Sequence, residues 1–490
     1  MASEASNLQY AVRPRVLARH LGTVAMILAA LQLVPGTAAL LLGVFDGAAR
    51  YGMTSAALLA CGYALSRIEA RAPIQRNEAM VLAAAAFVLA ALASTWPMAA
   101  HAGLSPLDAF FEAVSGVTTT GLSTAADVES RPRLWLFSRA WLQWCGGLGV
   151  MVFAAAFVLR PGVEAKRLSL SEGSEADDLA GGTRARSRRI LQVYCALTGA
   201  GILLMLVLGA SFFDAIVYTF AAISTGGFAP HNSSLSGLGG IPLQAAVTLL
   251  CVAGSTPVPF LNKLSRRSLR DTVADLQVRA LLILALALTG VLTLSLALQG
   301  GMGWGAAIHH GAMQAFSAQS TAGFSSMSLA EFPALSKLAI IFAMLVGGGV
   351  GSTAGGFKIL RLLIALKLLQ LLIRRSALPA HAVLEPQLGG RRLGDPEIEE
   401  ALLLIGLFVG AVLLSWLAFL AYGYDPLDSL FEVASATGTV GLSVGLTGTD
   451  LPATLKSVLC ADMLLGRLEI VVWLVTLYPG TWIGRRTQGT

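Results

Sequence analysis

Long apolar runs alternate with short polar breaks along this chain. A run of about 20 apolar residues is enough to cross the hydrocarbon core of a bilayer. Ten such runs are legible, centred near Ile27–Leu42, Ser55–Leu65, Val81–Thr95, Leu136–Val158, Val193–Leu208 and Pro242–Phe260, then Leu281–Leu298, Leu338–Val350 with a continuation at Ile359–Leu372, Leu402–Phe419 and Val458–Leu477. The second is the weakest, being short and flanked or interrupted by Gly52 and Gly62. Four further segments are amphipathic and too short to cross: SPLDAFFEAVSG, SFFDAIVYTFAAI, GGMGWGAAIHHGAMQAFSA and YDPLDSLFEVASA. They fit helices that enter the membrane and return on the same side. The pattern predicts an all-α integral membrane protein.

Each amphipathic segment runs into a stretch of small residues in which a glycine precedes Phe or Leu. These read TTTGLS at Thr118–Ser123, STGGFA at Ser224–Ala229, STAGFS at Ser320–Ser325 and GTVGLS at Gly438–Ser443. The glycines Gly121, Gly227, Gly323 and Gly441 recur roughly every hundred residues, an internal repeat. A span, a short helix, a glycine hairpin and a second span make up each copy, as in the pore module of a potassium channel. Two spans per copy let all four point the same way, whereas an inverted-repeat carrier needs an odd number of crossings per unit. The division expected is therefore a tail and two-helix hairpin at 1–72, then modules at 73–165, 166–272, 273–378 (its second helix broken) and 379–490.

Only 13% of the 490 residues are charged, about half the share usual in soluble domains. The net charge of +6 is segregated. Arg13, Arg15 and Arg19 precede the first run, and Arg67, Arg71 and Arg76 follow the second. Lys166, Arg167, Arg184, Arg186, Arg188 and Arg189 form a third cluster, and Lys263, Arg266, Arg267 and Arg270 a fourth. Lys358, Arg361, Arg374, Arg375, Arg391 and Arg392 come next, and Arg485 and Arg486 close the chain. Ten crossings place all of these on one side, while the opposite loops hold only Arg50, Arg131, Arg133, Lys337 and Lys456. That bias puts both termini in the cytoplasm and argues against nucleic-acid binding. No cleavable signal peptide is expected. The five cysteines show no ligand spacing. No Walker, HExxH or Ser/His/Asp pattern points to an enzyme.

A dehydrated monovalent cation needs oxygen ligands along a narrow path, and backbone carbonyls supply them where irregular backbone lines an enclosed cavity. The candidates are Thr118, Thr119, Thr120 and Gly121; Ser224, Thr225, Gly226 and Gly227; Ser320, Thr321, Ala322 and Gly323; and Gly438, Thr439, Val440 and Gly441. The shared single glycine implies a shorter ligand stack than TVGYG, with K+ and Rb+ preferred over Na+ but less sharply. Asp108 and Asp428, with Glu112 and Glu432 a turn on, read mainly as helix caps, with cation attraction a lesser share. His309 and His310 read as part of a helix start rather than a metal site.

Two features read as gating devices. Val346–Lys358 carries Gly347, Gly348, Gly349, Gly351, Gly355 and Gly356 around Ser352 and Thr353, ending at Lys358. Each glycine costs a helix about 1 kcal/mol, so an unwound, pore-obstructing loop is expected; a close-packing glycine seam is the alternative. Arg467 and Glu469 interrupt the last apolar run. Residues at i and i+2 face apart on a helix, which favours a pore-lining Arg467 over an internal pair with Glu469. The polar stretches Leu168–Arg189 and Arg374–Glu400, the latter with His381 and Pro386, read equally as partner-docking surfaces or as solvated connectors.

Taken together, VSGVTTTGLS, QWCGGLGVMVF, AISTGGF, GGGVGSTAGGFKILR, ASATGTVGLS and MLLGRLEI resemble the TrkH/KtrB superfamily of bacterial potassium uptake proteins over almost the whole chain. The extra N-terminal hairpin is more similar to TrkH. The resemblance implies potassium as the transported ion and no covalently bound cofactor. It also implies an inner-membrane homodimer with one pore per protomer, opened by a cytoplasmic ring of nucleotide-binding subunits similar to TrkA or KtrA. The family's intramembrane loop maps onto Gly347–Gly356 and its pore-blocking arginine onto Arg467. Two segments depart from the family pattern: CVAGSTPVPFLNKL at Cys251–Leu264, with its two prolines, and the connector SEGSEADDLAGGTRARSRR. The competing expectations are a mixed K+/Na+ conductor and a Na+- or H+-coupled carrier. A carrier of that kind would bury acids between crossing helices, whereas the acids noted here lie at helix starts.

Overall fold

A computed structural model describes residues 11–70, 72–125, 127–157, 183–257, 275–377, 379 and 385–483. Lys166, Arg167, the Leu168–Arg189 connector up to residue 182, Lys263, Arg266, Arg267, Arg270, Arg71, His381, Arg485 and Arg486 lie outside the described residues. Helix dominates. The one sheet among the described residues is a two-stranded hairpin pairing Gln387–Leu388 with Arg391–Arg392.

Helices α1 (Pro14–Leu41) and α2 (Phe45–Ser66) form an antiparallel pair. The second apolar run is thus a full 22-residue helix. Gly62, which weakened the run as a sequence pattern, is what lets the pair close: a Cβ there would lie 2.8 Å from the Gly22 carbonyl oxygen. Small residues permit such backbone approach.

Four units follow. The first is α3 (Arg76–Ala102), α4 (Pro106–Val117) and α5 (Arg133–Phe157). The second is α6 (Thr183–Val207), α7 (Phe212–Ile223) and α8 (Ile241–Ser255). The third is α9 (Leu276–Leu298), α10 (Trp304–Gln319), α11 (Ala334–Val346) and α12 (Ile359–Ser376). The fourth is α13 (Asp395–Ala421), α14 (Pro426–Thr437), α15 (Ala453–Arg467) and α16 (Ile470–Leu477). Among the described residues five helices, α1, α3, α6, α9 and α13, are long and apolar enough to cross a membrane. The short helices α4, α7 and α14 are largely buried, and α10 is buried mainly in its second half.

The second long helix of a unit is where the ten-run expectation needs correction. The last run is not one span: it breaks between Arg467 and Ile470, where Glu469 takes φ +61°. Helix α8 stops at Ser255, and Thr256 is extended at φ −86°, ψ 138°. Pro257 explains that stop, since a proline drives the preceding residue out of the helical region; the second proline, Pro259, lies outside the described residues.

The helix starts are also written differently from the expectation. Ser105 and Ser211 are the N-caps, accepting from the Asp108 and Asp214 amides at 3.1 Å, and Asp425 caps α14. Asp108 instead accepts from Lys456 Nζ at 2.6 Å, and Asp428 from Lys337 Nζ at 2.6 Å. The first ion pair joins the first unit to the fourth and the second joins the fourth to the third. Two lysines that read as stray outer-loop charges are therefore stitches between units.

Candidate functional site

All four glycine stretches adopt one backbone pattern. The first residue closes its short helix at φ −81° (Thr118), −77° (Ser224), −77° (Ser320) and −71° (Gly438). The next is a left-handed threonine in every copy, at +52° (Thr119), +53° (Thr225), +56° (Thr321) and +50° (Thr439). The glycines follow at +98°, +79°, +74° and +90°. A positive angle at the glycine is what the sequence predicts. The same angle at a β-branched residue is costly, of order 1–2 kcal/mol, and sequence reasoning missed it; the recurring Thr at that position was the available signal.

In each copy the first three N–H groups turn back onto the short helix. Thr118, Thr119 and Thr120 donate to Val114, Gly116 and Ser115 at 2.9–3.0 Å, and Gly438, Thr439 and Val440 repeat this with Ala434, Ala436 and Ser435. The amides of Gly121 and Gly441 bond the Ser115 and Ser435 hydroxyls at 3.0 Å. Among the described residues no donor meets the carbonyls of Thr120, Ala322 and Val440, while those of Ser224, Gly226 and Gly438 are engaged by Thr225 Oγ1, Gln143 Nε2 and the Gly356 amide.

The loops close on one another in chain order. A Cβ built on Gly121 would strike the Gly226 carbonyl, one on Gly227 the Ala322 carbonyl, one on Gly323 the Val440 carbonyl, and one on Gly441 the Thr120 carbonyl. The last contact completes a ring. Within each stretch the three residues before the glycine are buried, and the glycine and the last residue are partly exposed.

Each short helix also braces the chain leaving its loop, always from the ninth residue before the glycine. Glu112 accepts from Ser123 Oγ at 2.5 Å and the Thr124 amide at 2.9 Å. Tyr218 donates to the Ser234 carbonyl at 2.7 Å, and Gln314 accepts from the Ser326 amide at 3.3 Å. Glu432 accepts from the amides of Val444 and Leu446 and from Thr447 Oγ1. Arg139 Nε lies 3.0 Å from Glu112, its guanidinium 3.6 Å from the Phe228 ring centre. Glu112 and Glu432 are loop braces, not caps, and both are fully buried. At the outer surface Asn232 donates to Asp127 at 2.8 Å, which holds that carboxyl below its usual range. His309 bonds Gln244 of the second unit and His310 bonds Ser326 of the third, so both serve in packing.

The glycine-rich segment leaves α11 at Gly347 (φ +68°) and re-enters helix after Lys358 (φ +74°). It is unwound, and it touches three of the four loops. The Gly356 amide donates to the Gly438 carbonyl at 3.1 Å and the Gly355 amide to Thr321 Oγ1 at 2.8 Å. Thr353 Oγ1 donates to the carbonyls of Ile223 and Gly254 at 3.1 and 2.8 Å. Gln319 Nε2 holds the Gly347 carbonyl at 2.7 Å, the Gly349 amide meets the Ser255 carbonyl, and Ser352 Oγ turns back to the Gly349 carbonyl. Added Cβ atoms at Gly347, Gly348, Gly349, Gly355 or Gly356 would all collide with neighbours, whereas Gly351 has open space. The segment is thus both an unwound loop and a close-packed one. One filter candidate is altered by it, since Gly438 already has its carbonyl engaged.

Arg467 and this loop are in direct contact. Arg467 Nη1 donates to the Thr353 carbonyl at 2.5 Å, and Nε and Nη2 have no hydrogen-bond partner among the described residues. Glu469 faces away and accepts from Arg361 at 2.9 and 3.0 Å. The Lys358 amino group turns back onto the Ala354 carbonyl.

Other functional positions were not foreseen. Gly146, Gly254 and Gly466 let the second long helices touch the carbonyls of Val117, Ile223 and Thr437, the last residues of three short helices. Gln143 reaches from α5 into the second loop, donating to the Gly226 carbonyl and accepting from the Phe228 amide at 3.2 Å. Asp462 departs from the expectation for acids: it is buried between α15 and α13 and accepts from Ser415 Oγ at 2.6 Å.

Four like loops closed into one ring over an unwound helix break define a single architecture, and a family model described as cation transport protein, TrkH, matches residues 52–479. The chain belongs to the TrkH family. It is accordingly a multi-pass membrane transporter and not an enzyme. Among curated TrkH-like relatives, an uncharacterized cation transporter of Methanocaldococcus jannaschii is 31% identical over 421 residues, 85% of this chain and 86% of that one. The Trk system potassium uptake protein TrkH of Escherichia coli K12 is 29% identical over 489 residues, 96% of this chain and 99% of its own. The crystal structure of the potassium transporter TrkH from Vibrio parahaemolyticus shares the fold, with a TM-score of 0.85 over 96% of this chain and all of that one, at 24% identity.

Proposed function

We propose that this TrkH-family chain takes up K+ through the four-loop ring, with the carbonyls of Thr120, Gly226, Ala322 and Val440 standing in for part of the ion's hydration shell. The observation that carries this is the ring itself, in which the loop amides are spent on the short helices and three of these four carbonyls are left without a donor among the described residues. The four short helices end at the ring, so their negative dipole ends favour a cation there. The naming of the Escherichia coli relative supports K+ as the cargo.

The pore in this reading is shut. The Gly347–Gly356 loop fills the space under the ring, and Arg467 adds a positive charge where a cation would leave. Lys358 and Glu469, both left-handed at the two helix restarts, store strain of order 1–3 kcal/mol each. Opening swings the loop away from Thr353 and Gly438. A cytoplasmic nucleotide-binding ring drives that step. Arg374, Arg375 and Arg392, on and beyond α12, offer it a basic docking surface in a homodimer set in the bacterial inner membrane with both termini inside.

Flux from purified protein in liposomes tests the reading. Rb+ uptake should exceed Na+ uptake several-fold, Arg467→Ala should raise it, and Gly323→Ser should erase the preference. Equal Rb+ and Na+ flux through the unaltered protein would instead identify the mixed conductor. Asp462 is the observation that favours a proton-coupled variant. Such coupling would appear as Rb+ accumulation driven by a pH gradient and lost in Asp462→Asn.

A further inference from the structure

The second loop is the only one of the four whose residue before the filter glycine is itself a glycine: Gly226, against Thr120, Ala322 and Val440. The space where its side chain would stand is filled. A Cβ on Gly226 would lie 2.5 Å from Gln143 Oε1 and 2.7 Å from Gln143 Nε2. Gln143 belongs to α5 of the first unit and is fully buried. Its amide straddles the filter glycine Gly227, donating through Nε2 to the Gly226 carbonyl on one side and accepting through Oε1 from the Phe228 amide on the other. A primary amide pairs with a strand here as a neighbouring peptide group would. Of the side chains of similar size only an amide offers a donor and an acceptor at that spacing.

No such group exists elsewhere in the ring. The equivalent residues, three before Gly254, Gly347 and Gly466, are Cys251, Met344 and Met463. Among the described residues no N–H or O–H donates to the carbonyls of Thr120, Ala322 or Val440. The ring therefore presents three carbonyls at full strength and one already polarised by an amide.

We infer that Gln143 is a selectivity-determining positioning residue, which fixes the radius of the second loop and weakens one ligand of the ring so that a cation is held by three strong carbonyls and one weak one. This rests on the reading of the ring as a K+ filter. Gln143 acts through Gly226 and need not touch the ion. A buried donor and acceptor held in one geometry give rigidity, which sets the size the loop will accept. The same donor limits how tightly any cation is bound and so favours its release.

The experiment measures Rb+ and Na+ flux, with Na+ competition, in liposomes holding the full-length protein. Gln143→Leu leaves the Phe228 amide unpaired and frees the Gly226 carbonyl; the Rb+/Na+ flux ratio should fall at least five-fold. A protein merely damaged in packing would lose both fluxes together with the ratio unchanged, and that result overturns the assignment. Gly226→Ala should collide with the amide and abolish flux, while Gln143→Ala with Gly226→Ala should restore folding, read by a monodisperse elution profile, and Rb+ flux, but not the ratio. Failure of the pair to recover any flux while Gly226→Ala alone stays active would also overturn it. Should the unaltered protein show no Rb+ preference, it is the filter reading that fails, not the role of Gln143 alone.

Discussion

Arg467 and Glu469 lie two residues apart and serve opposite sides of a helix break: the arginine holds the Thr353 carbonyl at 2.5 Å, and the glutamate turns to Arg361 at 2.9 Å. The positive φ of Glu469 is what parts them. A continuous helix would have left an arginine and a glutamate both short of partners in an apolar run.

Removing the arginine should unlock the loop without unmaking it, because Thr353 keeps its hydroxyl bonds to Ile223 and Gly254. Arg467→Ala is expected to raise basal Rb+ flux about ten-fold, equal to roughly 1.4 kcal/mol of closed-state preference. Flux at or below the unaltered level would show that Arg467 does not hold the pathway shut.

The Lys456–Asp108 pair is nearly buried, at 6% and 11% side-chain exposure. Breaking one half of such a pair costs about 3–5 kcal/mol, and replacing both halves with apolar groups is often neutral. Lys456→Met should lower the thermal midpoint in detergent by several degrees, and Lys456→Met with Asp108→Leu should recover most of it. Additive losses in the double variant would contradict a paired role.

Gly466 faces the carbonyl of Thr437, the last residue of α14. Gly466→Ala drives a methyl into that backbone, so the fourth loop must shift. Loss of Rb+ flux is expected with protein still inserted in the membrane fraction, since the outer contacts of α15 are untouched. Normal flux would mean that the loop tolerates the displacement.

Glu432 carries four bonds from the chain beyond the fourth glycine, two of them from backbone amides. Glu432→Gln keeps an acceptor oxygen for the amides and should retain at least half the flux. Glu432→Leu leaves buried donors unpaired, about 1–3 kcal/mol each, and should abolish it. Similar behaviour of the two variants would rule out the brace.

Most of the fold was legible because its signals are local. An amphipathic segment such as SPLDAFFEAVSG and the small-residue stretch after it are contiguous, and four copies multiply a weak motif into a strong one. The helix break at Gly347 was readable for the same reason, six glycines in one run. What escaped depends on partners distant in sequence. Lys456 meets Asp108 across 348 positions, and Gln143 meets Gly226 across 83. The break at Glu469 escaped because no proline marks it and the nearby Gly466 serves close packing against Thr437; the acid itself adopts an angle that composition gives no reason to expect.

The stitch between Lys456 and Asp108 also orders the events of biogenesis. The partners are separated by 348 residues, so the first unit must wait in the bilayer with its lysine-binding carboxylate unmatched until the fourth has been synthesised. A ring made of identical subunits assembles by collision and depends on concentration; a ring closed within one chain depends on its own length. Any polypeptide cut short before Lys456 is left with an open seam that no second copy of the same fragment can fill.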